Sequence, residues 1–274
     1  MSVIKYFNLN EDPFRIGPDA RFLYFSEQVK EALAKCECMA RERIGPVYMY
    51  GPIGAGKTTI IRRLYERLSQ DKLYNVAYLI SPNMKSSNIF LRMILETFQV
   101  KTERAFDHSL RNFEFFLTEQ YQSEKVPLLL VDEAQYLSRD ALKLVHYLLN
   151  FETATTKLLQ IVLVGQEELA AKILRYKELA SRMFPIAMNA LSFDDMKAMI
   201  RFRWIVAGGN EHENPFNNDD IYKALFAYSK GLPREVVKIC GQVLLDLMAV
   251  QGQTAYLSQV EALAQELNLQ KEHE

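Results

Sequence analysis

The 274-residue sequence predicts an α/β protein: a parallel sheet covered by helices on both faces, followed by a small all-helical domain. Three observations carry this prediction. Gly51-Pro52-Ile53-Gly54-Ala55-Gly56-Lys57-Thr58-Thr59 fits the phosphate-loop pattern G-x-x-x-x-G-K-[ST] without a mismatch, between a β-prone run and an amphipathic helix. The apolar runs 126–131 and 158–164 lack polar alternation, as strands buried on both faces do, and helical periodicity separates them. From about residue 190 onward only helical patterns remain.

Taken in order, residues 1–25 are rich in aromatics and prolines, and Pro13 and Pro18 argue against a regular element. They read as a strap over the core, with Pro13, Phe14 and Ile16 as candidates to wall an adenine pocket. A helix follows from Ser26 to about Arg43, and Ile44-Gly45-Pro46 leads into the first strand. The helix after the loop places Ile60, Ile61, Leu64 and Leu68 on one side, and 74–80 forms a second strand. Helices are expected over 87–98, from about 108 to 121, and over 138–150, with a weaker strand near 186–191.

Ser192 to Asp195 resembles a capping box that starts a helix over 194–207. Helices over 218–229 and 233–250 follow, and a last one starts at Ser258 with Glu261 as its box partner. The expected division is therefore 1–190, a nucleotide-binding core with its strap, and 191–274, a helical lid.

Composition narrows the class. Hydrophobic residues at 49% and charged residues at 24% describe an ordinary globular chain. Lys plus Arg (33) nearly equals Asp plus Glu (34), so any nucleic-acid contact would have to come from a local patch. Three cysteines cannot pair off evenly, and Cys36 and Cys38 point different ways on a helix, which disfavours a disulfide or zinc site. No signal peptide is visible, and no apolar run approaches the ~20 residues that span a bilayer. A cytoplasmic protein without a membrane is the expectation.

The chemistry collects around the loop. Its glycines turn successive N–H groups onto phosphate oxygens, and the helix start adds partial positive charge. Lys57 would reach the β- and γ-phosphates of ATP, and the Thr58 hydroxyl would hold Mg²⁺. Leu128-Leu129-Leu130-Val131-Asp132-Glu133 buries a strand and delivers two carboxylates at its carboxyl end, where open α/β sheets bind ligands. Asp132 is the second Mg²⁺ candidate, and Glu133 would orient the attacking water. Gln166, ending the 158–164 strand, is the expected γ-phosphate sensor, with Asn83 as a partner restraining Glu133. Arg182 is the candidate arginine finger acting across a subunit boundary, with Arg175 its competitor, and Arg234 could point back from the lid at the γ-phosphate.

These residues, with Tyr6-Phe7-x-Leu9, Pro13-Phe14, Asp19-x-Arg21-Phe22-Leu23-Tyr24, Val131 to Gln135 and Gly231-Leu232-Pro233-Arg234, resemble the AAA+ ATPases, and more narrowly the ExeA/GspA-type family. The resemblance implies the AAA+ core with its lid, ATP hydrolysis and nucleotide-dependent ring or filament formation. It also supports the roles of Gln166, Arg182 and Arg234. The loop departs at 51–55, where the family more often carries an acidic residue and a valine.

Secretion members of the family carry a membrane anchor and a periplasmic cell-wall-binding domain beyond the ATPase, and neither is expected in this chain. Short versions resemble the TnsC, TniB and MuB regulators of DNA transposition, which assemble on duplex DNA with ATP and recruit a transposase. That job is the expectation, with a secretion-type assembly ATPase, or a signalling or defence switch, as the alternative. By the same similarity, sequence-independent DNA contacts fall to Lys85, Ser86, Ser87, Lys101, Thr102 and Arg104.

Overall fold

A computed structural model describes residues 2–80, 86–267 and 269. The chain divides into two compact units, one of Met1–Ser26, Gly54–Gly56 and Asn189–Glu274, the other of Glu27–Ile53 and Lys57–Met188.

The second unit is built on five parallel strands: β1 Val47–Tyr50, β2 Tyr74–Leu79, β3 Val126–Val131, β4 Gln160–Gly165 and β5 Phe184–Ala187. They lie in the order β2-β3-β4-β1-β5. Every residue of β3 and β4 is buried, the signature of a sheet covered on both faces. Period-two alternation sorts the faces. Leu129, Val131, Ile161 and Leu163 enter one core with the helices Ser87–Thr97, Phe106–Gln122, Arg139–Leu148 and Glu167–Arg175. Residues of the opposite parity, such as Leu128 and Leu130, stand outside that core, on the face where β3 and β4 meet the helix Glu27–Arg41 and β4 meets Lys57–Ser69.

Asp132, one step past β3, has the parity of Leu128 and Leu130. It therefore emerges on the side of the helix that begins at Lys57.

The fifth strand begins two residues earlier than the sequence pattern suggests, because Phe184 donates to the Pro46 carbonyl (2.9 Å) and sets the register against β1. It is an edge strand, which is why Pro185 is tolerated. The helices Glu167–Arg175 and Lys177–Ala180 were not assigned from sequence.

In the first unit, the helices Phe193–Val206, Asp219–Ser229, Pro233–Ala249 and Leu257–Glu266 share a core with Phe7, Leu9 and Phe14. The strap is thus grouped with the C-terminal helices, whereas the sequence reading joined it to the core. Phe7 meets Trp204 edge-on at 5.8 Å, and Phe14 meets Phe216 at 5.5 Å. Arg203, largely buried, donates to the carbonyls of Pro13 (2.8 Å), Phe22 (3.3 Å) and Arg15 (3.4 Å). Two short turns of helix, Val3–Tyr6 and Ala20–Phe22, occupy a strap that was expected to be irregular.

The last helix also starts differently. It begins at Leu257, and Gln259 accepts from the Tyr256 N–H at 3.0 Å, so the Ser258/Glu261 box is not the one formed. At Ser192 the hydroxyl does cap, accepting from the Asp195 N–H at 3.1 Å.

Candidate active site

The loop leaves β1 at Tyr50 and enters its helix at Lys57. Gly54 and Gly56 take positive φ (86° and 88°), where a side chain would strain the backbone. Gly51 is required by proximity, since a Cβ there would lie 2.0 Å from the Met188 carbonyl oxygen. Lys57, 8% exposed, donates to the carbonyls of Gly51 (2.8 Å) and Pro52 (2.7 Å), so its ammonium is held inside the loop's curve. Ala55 is buried, Pro52 and Thr59 are half-buried, and Ile53 is exposed.

Asp132 is 2% exposed. Burial raises its carboxyl above the ordinary carboxylate range, and hydrogen bonds from the Glu133 N–H (2.9 Å) and the Tyr78 hydroxyl (3.4 Å), with the nearby Thr58 hydroxyl, oppose that shift. Thr58 and Asp132 thus bring the two phosphate-site elements together. This adjacent, all-oxygen pair fits a hard divalent cation that takes its remaining ligands from phosphate and water, as Mg²⁺ does. Among the described residues no cluster of three or more His, Cys, Asp or Glu forms an all-protein metal cage.

Strand order places the rest. β4 lies between β1 and β3, so the chain leaving β4 at Gly165 emerges between the loop and the carboxylates. Gln166, half-buried, stands there as the N-terminal cap residue of the helix Glu167–Arg175. Glu133 takes left-handed backbone (φ 52°), and its carboxylate accepts from the Gln135 side-chain amide. Gln135 and Tyr78 were missed as site residues. Gln135 stood in the resembling stretch without a role, and the strand parity that aims Tyr78 at Asp132 was the available signal.

Arg182 lies at the other edge of the sheet. It precedes β5 and neighbours the start of β1, roughly four strand residues or ~13 Å from the loop end of β1. Its guanidinium donates to Asn150 Oδ1 at 2.5 Å and is otherwise exposed, at the end of β1 away from the loop. Arg175 is exposed in the last turn of its helix.

In the first unit the Arg234 N–H donates to the Gly54 carbonyl at 3.2 Å, at the start of the helix Pro233–Ala249. Phe14 is enclosed by packing, the Pro13 carbonyl is taken by Arg203, and Ile16 is exposed.

Asn83 and Lys85 lie outside the described residues. Ser86 caps the helix Ser87–Thr97, accepting from Ile89 N–H, with Ser87 its first residue, while Lys101, Thr102 and Arg104 follow the far end about 16 Å away. Lys101 is ion-paired with Glu103 at 2.7 Å. Ser86 and Ser87 therefore stand at the opposite end of this helix from Lys101, Thr102 and Arg104.

A parallel sheet in this order, with a phosphate loop after β1 and buried Asp132 beside it, defines a P-loop nucleotide-binding protein of the AAA+ fold. Residues 41–173 match the family model described as AAA domain. The chain is 32% identical over 258 residues to General secretion pathway protein A of Aeromonas hydrophila, an alignment covering 89% of this chain and 45% of that protein. It thus spans less than half the length of that relative.

Among solved structures, the Aeropyrum pernix ORC2 protein (ADPNP-ADP complexes) aligns at TM-score 0.64 and 13% identity over 88% of this chain and 67% of its own. Drosophila ORC bound to DNA aligns at 0.68 and 18% over 94% and 65%. The Thermotoga maritima RuvB Holliday junction branch migration motor aligns at 0.58 and 15% over 91% and 74%. At these identities the likeness speaks to fold.

Proposed function

We propose that the protein is an ATP-hydrolysing assembly switch, and the buried Asp132 carboxylate with the Thr58 hydroxyl close to it carries this reading. This puts the metal-holding hydroxyl of the loop against the buried carboxylate of β3. When bound, Mg²⁺ would neutralise charge on the β- and γ-phosphate oxygens. Lys57 would exchange a loop carbonyl for a phosphate oxygen, and Glu133 would orient water. Gln166 would contact the γ-phosphate from between the two. Arg182, at the far sheet edge, would complete the site of a neighbouring copy, so hydrolysis would follow assembly into a ring or filament. Arg234 would add a second cation from the lid.

Two jobs fit such a switch. An ATP-dependent assembly on double-stranded DNA that directs a partner transposase follows from the resemblance to the short transposition regulators. An assembly ATPase for protein secretion is favoured by the 32% identity to a secretion-pathway protein. The separation of Ser87 from Lys101, Thr102 and Arg104 weighs toward the second, unless repetition in a polymer compensates.

Electron microscopy of the Glu133→Gln variant with ATP and Mg²⁺, with and without duplex DNA, tests both. Rings or filaments only with ATP and DNA support the transposition reading. ATP-dependent assembly indifferent to DNA supports the secretion reading. Absence of any ATP-dependent assembly overturns the switch.

A further inference from the structure

Resting on the ATPase reading, we propose that Gln135 is a positioning residue that aims Glu133 and ties it to the end of β4. Gln135 is 6% exposed, and its side chain is engaged at both ends. Its Oε1 accepts from the Gln166 backbone N–H at 3.1 Å, and its Nε2 donates to Glu133 Oε2.

The amide orientation is dictated by chemistry. A backbone N–H only donates, so the oxygen must face Gln166, which turns the NH₂ toward the Glu133 carboxylate oxygen as its acceptor. Lys172 anchors the backbone behind it, donating to the carbonyls of Gln135 and Leu137 (the latter at 3.1 Å). Gly165 leaves the room: a Cβ there would sit 2.7 Å from Gln135 Oε1.

With one oxygen of Glu133 held by Gln135, the carboxylate plane is restrained and the other oxygen is left to accept from water. The same amide reads the position of Gln166, which stands between the phosphate loop and the carboxylates. A shift of the β4 end on phosphate binding is therefore passed to Glu133 through one side chain. Gln135 touches no reacting atom; it acts through Glu133.

Steady-state hydrolysis by wild type, Gln135→Ala and Gln135→Glu tests this, with nucleotide affinity and thermal midpoint measured alongside. Gln135→Glu keeps the size and the acceptor for Gln166 but loses the donor to Glu133. Both variants are expected to lose at least tenfold in kcat, with KM for ATP within about threefold. Turnover by either variant within twofold of wild type overturns the inference, as does parallel loss of affinity, stability and kcat.

The amide NMR signals of Gln135 give a readout free of turnover. Its side-chain protons should exchange slowly and shift in Glu133→Ala. Signals indifferent to Glu133→Ala overturn the inference even in a protein that hydrolyses ATP. A wild type that keeps this shift but turns over no ATP would instead remove the ATPase reading.

Discussion

At the scale of single residues, environment separates side chains of one type. Of the three cysteines, Cys36 and Cys240 are buried and Cys38 is exposed. Burial pushes the Cys36 thiol up to about 12 and raises Cys240 as well, so neither supplies thiolate near neutrality. A disulfide-exchange reagent at pH 8 is expected to release one rapid equivalent from the native protein, lost in Cys38→Ser, and three after unfolding. Two rapid equivalents would contradict the buried placement. Asp132 and Glu133, adjacent in sequence, diverge in the same way. Strand parity buries Asp132 against Thr58, while left-handed backbone turns Glu133 toward Gln135. The pair was legible as two carboxylates; the split depends on a dihedral that no spacing rule encodes.

At the scale of elements, Arg203 fastens the strap. Its guanidinium serves three strap carbonyls and lies 4.9 Å over the Phe22 ring. Burial lowers it to about 10, so it stays a cation at neutral pH. Arg203→Met would leave those acceptors without their donor and is expected to cost about 3 kcal/mol, measured by urea unfolding. Native-state trypsin cleavage at the exposed Arg15 and Arg21 should accelerate with it, and unchanged cleavage would argue that packing alone holds the strap.

The strands β2, β3 and β4 and the helices around them were legible because burial writes a periodic pattern into contiguous residues. The strap was not, because Phe7 and Phe14 pack on Trp204 and Phe216, about two hundred positions away, and an aromatic residue carries no local mark of which core it joins. The start of β5 was missed for a related reason. Only Ile186 of its four residues is buried, and its register is set by β1 rather than by its own sequence.

At the scale of the whole molecule, the phosphate loop links nucleotide binding to stability. A ligand that binds only the folded chain stabilises it by about 2.7 kcal/mol at a hundred times its dissociation constant. Wild type should therefore melt higher with ATP and Mg²⁺, and Lys57→Ala, which removes the ammonium held at Gly51 and Pro52, should lose that shift. A retained shift would place the nucleotide elsewhere. Among the described residues no helix is long and apolar enough to cross a membrane.

The pairing of β1 also sets a timetable. Both of its neighbours, β4 and β5, are made more than a hundred residues after it. At ~5–20 residues per second, a ribosome would release the loop's own strand roughly 5–25 seconds before anything exists for it to pair with. The nascent loop's strand therefore stays unpaired while about 110 further residues are added, and the capacity to hold a nucleotide arrives only when β4 emerges.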